Sequence, residues 1–118
     1  MASEFSGLIE RLGRLPGIRG AFVVSVGDGL VVDGRFNVGV RAPAVAALAA
    51  KLFARARRSV EDAGFGGVRF VQLEGEDGRM MVAGKGELIL VAVAEPRANP
   101  GRARLEVMRA AEELGGTA

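Results

Sequence analysis

Leu12-Gly13-Arg14-Leu15-Pro16-Gly17-Ile18-Arg19-Gly20-Ala21-Phe22-Val23-Val24-Ser25, continued after Val26 by Gly27-Asp28-Gly29-Leu30-Val31-Val32, is the stretch whose reading decides the fold. It reads as the end of a helix, a short break, a strand, a tight turn and a second strand. Upstream, Phe5, Leu8, Ile9 and Leu12 recur at helical spacing and place an apolar stripe on one face. Pro16 cannot continue a helix and Gly17 offers a permissive backbone, so the helix stops near Gly13 or Arg14. Ala21 to Val26 is rich in β-branched and apolar residues, and Asp28-Gly29 suits a hairpin turn that needs positive φ. Ser3 or Ser6 is placed to cap the helix, without the Glu or Gln of a capping box.

Working outward, the second strand spans Leu30–Asp33, and Gly34 to Arg41 reads as an irregular connection. Ala42 to about Asp62 is the most helical segment, rich in alanine, with Pro43 near its first position and Gly64 placed as its C-terminal cap. Val45, Leu48, Ala49, Leu52, Ala56 and Val60 form one apolar stripe on it. Ala44, Ala47, Ala50 and Ala54 widen that stripe with small side chains, which predicts cover on more than one side and close approach by another helix. Three strands follow at Val68–Leu73, Arg79–Ala83 and Glu87–Ala94, joined by turns at Gly75-Glu76-Asp77-Gly78 and Gly84-Lys85-Gly86. The last of them is continuously apolar from Leu88 to Val93, as in a strand covered on both faces. Asn99 is a good N-cap, Pro100 fits the first helical position, and the final helix runs to about Leu114 before Gly115-Gly116. The order is α-β-β-α-β-β-β-α.

The 118 residues are expected to form a single domain, residues 1–118, large enough to bury roughly two-thirds of its unfolded surface. Apolar residues make up 49 %, which predicts apolar area covered by a partner. No apolar run approaches the ~18 residues of a membrane-spanning helix, and no signal peptide is visible. Cysteine is absent, which removes disulfides and thiolate metal sites; a cytoplasmic location is the simplest expectation. His, Tyr and Trp are absent too, so the commonest general base and metal ligand are missing. The sequence therefore points away from an enzyme, with no catalytic, cofactor-binding or metal residues and no cofactor expected.

Charge is segregated. Arg35, Arg41, Lys51, Arg55, Arg57 and Arg58 face no acid between Gly34 and Val60, while Glu61 to Glu95 is mainly acidic. Lys51, Arg55 and Arg58 share one helix face. Two readings stand: a basic surface for an acidic or phosphate-bearing partner, or a solvated face favoured by the helix C-terminus. Gly84-Lys85-Gly86 lacks the spacing of a phosphate-binding loop and reads as a hairpin turn. Glu74, Glu76 and Asp77 have no calcium-loop spacing. Arg55-Ala56-Arg57-Arg58, with few aromatics and a net charge of +2, does not amount to a nucleic-acid site.

The opening stretch resembles the start of a Roadblock domain, whose members carry a Leu-rich helix, Pro-Gly, a hydrophobic strand and Asp-Gly. Here Ile18 stands where Val is usual, and Gly27 precedes Asp28-Gly29. Glu87 to Ala94 followed by Asn99-Pro100-Gly101-Arg102-Ala103-Arg104 is similar to the family's last strand and final helix. The resemblance implies an α/β (α+β) fold: a central antiparallel five-stranded sheet, the middle helix on one face and the terminal helices on the other. It also implies a cytoplasmic homodimeric scaffold or regulator that binds a small Ras-like GTPase, of the Mgl type found in bacteria, with no nucleic acid and no direct membrane insertion. Ala44, Ala47, Ala50, Lys51, Ala54, Arg55 and Arg58 are the candidate dimer and partner residues. A small-molecule sensor and a purely structural dimerisation domain are the alternatives.

Overall fold

The stripe of Phe5, Leu8, Ile9 and Leu12 folds into the first helix, α1 (Ser6–Gly13), and all four side chains are buried. The computed structural model describes residues 4–115; Ser3 and Gly116, weighed above as cap and terminator, lie outside them. Ser6 is the first helical residue and does not cap: Phe5 holds the N-cap position with no side-chain hydrogen bond. Gly17 then turns the chain with φ +85°, and a Cβ there would lie 2.7 Å from that of Ala98. Glycine is thus required on both counts.

Five antiparallel strands follow: β1 (Ile18–Ser25), β2 (Val31–Phe36), β3 (Phe70–Gly75), β4 (Gly78–Lys85) and β5 (Leu88–Ala94). Their order in the sheet is β2-β1-β5-β4-β3. The continuously apolar strand is therefore central, and Ile89, Leu90, Val91 and Ala92 are all fully buried. Strand limits differ from expectation at several ends. β1 begins at Ile18, β3 is displaced to Phe70–Gly75, and β2 runs on through Gly34 and Arg35 to Phe36. Gly34 had marked the start of an irregular connection. It is instead a strand position pressed against β1, where a Cβ would lie 2.7 Å from the Phe22 ring. Gly84 likewise lies within β4, paired with Ile89.

Alternation along the strands sorts the core into two layers. Phe22, Val24, Val82, Ile89 and Val91 meet the middle helix, α2 (Ala42–Asp62). Ala21, Val23, Met81, Ala83, Leu90 and Ala92 meet α1 and the last helix, α3 (Pro100–Gly115). Asn99 caps α3 as expected: its Oδ1 accepts from the Gly101 and Arg102 amides at 3.0 and 3.2 Å. Glu10 on α1 pairs with Arg35 on β2 at 3.3 Å, and Arg11 pairs with Glu113 on α3.

Candidate functional site

The buried face of α2 is Ala42, Ala46, Ala49, Ala50 and Phe53. This is rotated from the expected stripe by about one residue. Phe53 is fully buried and Leu48 is 44 % exposed. Phe53 is the bulkiest side chain on the helix, and it sets which way the helix faces. Leu48, five residues earlier, lies about 140° around the axis at roughly 100° per residue. That angle was legible in the sequence, yet the expected stripe left Phe53 out.

The rotation divides the candidate residues. Ala44, Ala47, Lys51, Arg55 and Arg58 are exposed on the outer face, joined by Leu48, which the sequence reading had placed inside. Ala54 is half-buried at the flank. Ala50 is a correction: at 4 % exposure it belongs to the layer between α2 and the sheet and offers no surface to a partner. The outer face is thus small and apolar along its N-terminal half, and basic along its C-terminal half.

Lys51, Arg55 and Arg58 form no hydrogen bond or ion pair among the described residues. Their neighbour Arg57 behaves differently: it donates to the Gly86 carbonyl at 3.0 Å and lies over the Phe53 ring at 5.1 Å. Like charges three and four residues apart on a helix cost roughly 0.2–0.5 kcal/mol per pair. The helix dipole offers little return, because α2 has no basic residue in its last turn and the effect fades beyond it. The dipole therefore adds little at this face. The like-charge pairs mildly oppose the helix, and Glu61 and Asp62, three and four residues beyond Arg58, offset part of that at its end.

A shallow groove runs beside the N-terminal half of α2, between Val45 and Leu48 on the helix and Val93 on β5, with Arg19, Arg41, Asp77 and Glu95 at its rim. The space beneath α2 is filled: Phe22 and Phe53 are fully buried there. No buried polar or charged residue occurs among the described residues. No helix among them is long and apolar enough to cross a membrane.

A five-stranded antiparallel sheet between one long helix and two shorter ones, displaying its exposed chemistry on the long helix, defines a class of small α/β domain. Residues 5–94 match the family model described as the Roadblock/LC7 domain, and the chain belongs to that family. An uncharacterized protein of Methanocaldococcus jannaschii is 35 % identical over 107 residues, covering 91 % of this chain and 93 % of that protein. A Roadblock/LC7 domain from Streptomyces avermitilis superposes with a TM-score of 0.79 at 24 % identity, over 95 % of this chain and 92 % of that one. Myxococcus xanthus MglB superposes with a TM-score of 0.84 at 19 % identity, over 98 % and 94 % of the two chains. These structural likenesses establish the fold. The curated relative is archaeal, so the family likeness reaches beyond the bacterial Mgl-type proteins to which the sequence pointed.

Proposed function

We propose that this chain is a non-catalytic homodimeric regulator or scaffold of the cytoplasm, and that the dimer binds a small Ras-like GTPase through the basic half of α2. The observation that carries the reading is the set of three exposed cations, Lys51, Arg55 and Arg58, which share one helix face and form no ion pair among the described residues, with Asp62 at the end of that face. A cluster of exposed like charges with no ion pair among the described residues suits a partner of opposite charge. Family membership supports a regulatory or scaffolding role. The small outer residues Ala44 and Ala47, with Leu48 between the turns, suit close approach of a second α2. The filled layer beneath α2 speaks against the small-molecule sensor.

The test titrates the protein against the GTPase encoded nearest its gene, loaded with GDP and with a GTP analogue. The double reversal Arg55→Glu/Arg58→Glu should abolish binding with the dimer and melting temperature nearly unchanged. Exposed charges contribute little to folding, whereas like charges brought together across an interface cost several kcal/mol. Wild-type affinity should fall as salt rises. Unchanged affinity in the double reversal removes the α2 face from the mechanism. Absence of binding in both nucleotide states leaves the purely structural dimer.

A further inference from the structure

α2 ends in a fixed turn that holds a phenyl ring in water. The Phe65 amide donates to the Val60 carbonyl at 3.0 Å, and the Gly64 amide donates to the Glu61 carbonyl at 3.0 Å. Those two bonds, with Gly64 at φ +82°, are the Schellman closure of a helix, and they pin the backbone at Phe65. In that closure the side chain after the glycine ordinarily packs back on the helix, here on Val60. Phe65 is still 80 % exposed, more than any other aromatic among the described residues. Gly64, Gly66 and Gly67 bring no side chain to cover it. A Cβ on any of the three would meet nothing beyond its chain neighbours within 4 Å. The turn therefore presents one side chain, an apolar ring on a pinned backbone.

The groove beside the N-terminal half of α2 has the complementary shape. It offers about 690 Å³, with Val40, Val45 and Val93 half-buried along it and Val38 and Leu48 exposed at its sides. The loop at 37–40 that forms one wall is itself held. The Asn37 amide donates to the Arg19 carbonyl at 2.8 Å and the Val40 amide to the Asn37 carbonyl at 3.2 Å, with Gly39 at φ +97° between them. α2 has 21 residues and is roughly 30 Å long, and it separates the ring from the groove. Phe65 therefore cannot fill the groove of its own chain; only another molecule brings the two together.

The charges beside the two features also match. Glu61 and Asp62 precede the ring and Arg69 follows it, while Arg41 and Asp77 stand at the groove rim. All of these are exposed, and none forms an ion pair among the described residues. The other rim charges, Arg19 and Glu95, pair with each other at 3.8 Å. Both the ring's surroundings and the rim thus carry both signs. One orientation along the groove sets Glu61 and Asp62 toward Arg41 and Arg69 toward Asp77; the reverse sets like against like.

We propose that Phe65 of one copy of this chain docks into the groove beside α2 of the next, a head-to-tail contact between copies. The two surfaces are different patches of one molecule, so the contact is heterologous. It leaves a free ring at one end and a free groove at the other, and it repeats into a closed ring or an open filament. One aromatic anchor covers far less than the ~1,600 Å² of a standard interface, so the assembly is weak and grows with concentration. It rests neither on GTPase binding nor on pairing of α2. Leu48 borders both the groove and the face offered to a second α2, so the groove is tested at Val38, outside the helix.

The chain has no tryptophan, so Phe65→Trp reports the ring's surroundings directly. As concentration rises through the micromolar range, its emission should move to shorter wavelength. Adding Val38→Glu, which sets a carboxylate at the side of the groove, should abolish that shift. Sedimentation velocity then tests the head-to-tail geometry, with Ala47→Glu in every chain to weaken the α2 contact. Phe65→Ser and Val38→Glu lie at exposed positions; each should keep its melting temperature and lose the species that grow with concentration. Mixed in equal amounts, they should form a species of twice the smallest mass and nothing larger, because one chain supplies the ring and the other the groove. Emission of a fully solvated indole at every concentration overturns the proposal, as does a shift that persists with Val38→Glu. So does a mixture no larger than its components.

Discussion

Replacing Leu90 by alanine should lower the stability of this domain by about 2–5 kcal/mol. Leu90 is fully buried on the central strand, between Val23 of β1 and Ala83 of β4, and its side chain packs in the layer beneath α1 and α3. The substitution removes three carbons, roughly 2.4 kcal/mol of transfer free energy at ~0.8 per methylene. A cavity term adds to this, because hydrogen-bond ladders on both sides of β5 hold the backbone apart and prevent collapse. A domain of this size has about 5–15 kcal/mol to lose, so the variant should fold with a clearly lower denaturation midpoint. The assay is guanidinium unfolding with the slope compared between proteins, repeated at two protein concentrations because self-association adds to apparent stability. Leu105→Ala, on the exposed side of α3 at 49 % exposure, is the internal control and should change stability by about 0.5 kcal/mol or less. A loss below about 1 kcal/mol at Leu90, or one equal to that at Leu105, would refute the placement of β5 at the centre of a sheet covered on both faces.

Ala50→Glu and Ala47→Glu should separate folding from association: the first buries a charge beneath α2 and should unfold or strongly destabilise the chain, whereas the second should fold normally and weaken the dimer. Circular dichroism melts alongside sedimentation distinguish the two outcomes, and equal melting temperatures would show that Ala50 is not in the core. Asn99→Ala should cost about 1 kcal/mol by removing the acceptor of two amides at the start of α3, read as a shift in denaturation midpoint.

The element order, the limits of α2, the cap at Asn99 and the two-sided burial of β5 were all legible in the chain. Each is written locally, in a periodicity, a cap residue or an unbroken apolar run, and needs no knowledge of neighbours. The basic stripe of Lys51, Arg55 and Arg58 was legible for the same reason, since spacing on a helix determines a shared face. What lay beyond local reading was orientation. Alanine is compatible with a core, a helix contact or solvent, so an alanine-rich helix does not announce which side is down. Packing of Phe53 against Phe22 and Val91 decided that, burying Ala50 and turning Leu48 outward. Gly34 was ambiguous in the same way: glycine marks both loops and close approaches, and only the Phe22 ring on the neighbouring strand made it a strand residue. The sheet's free edge is likewise a product of long-range pairing. Asp33, Arg35 and Phe36 acquire their shared outward strand from β1, a partner whose register is set by the whole sheet rather than by the residues that flank it.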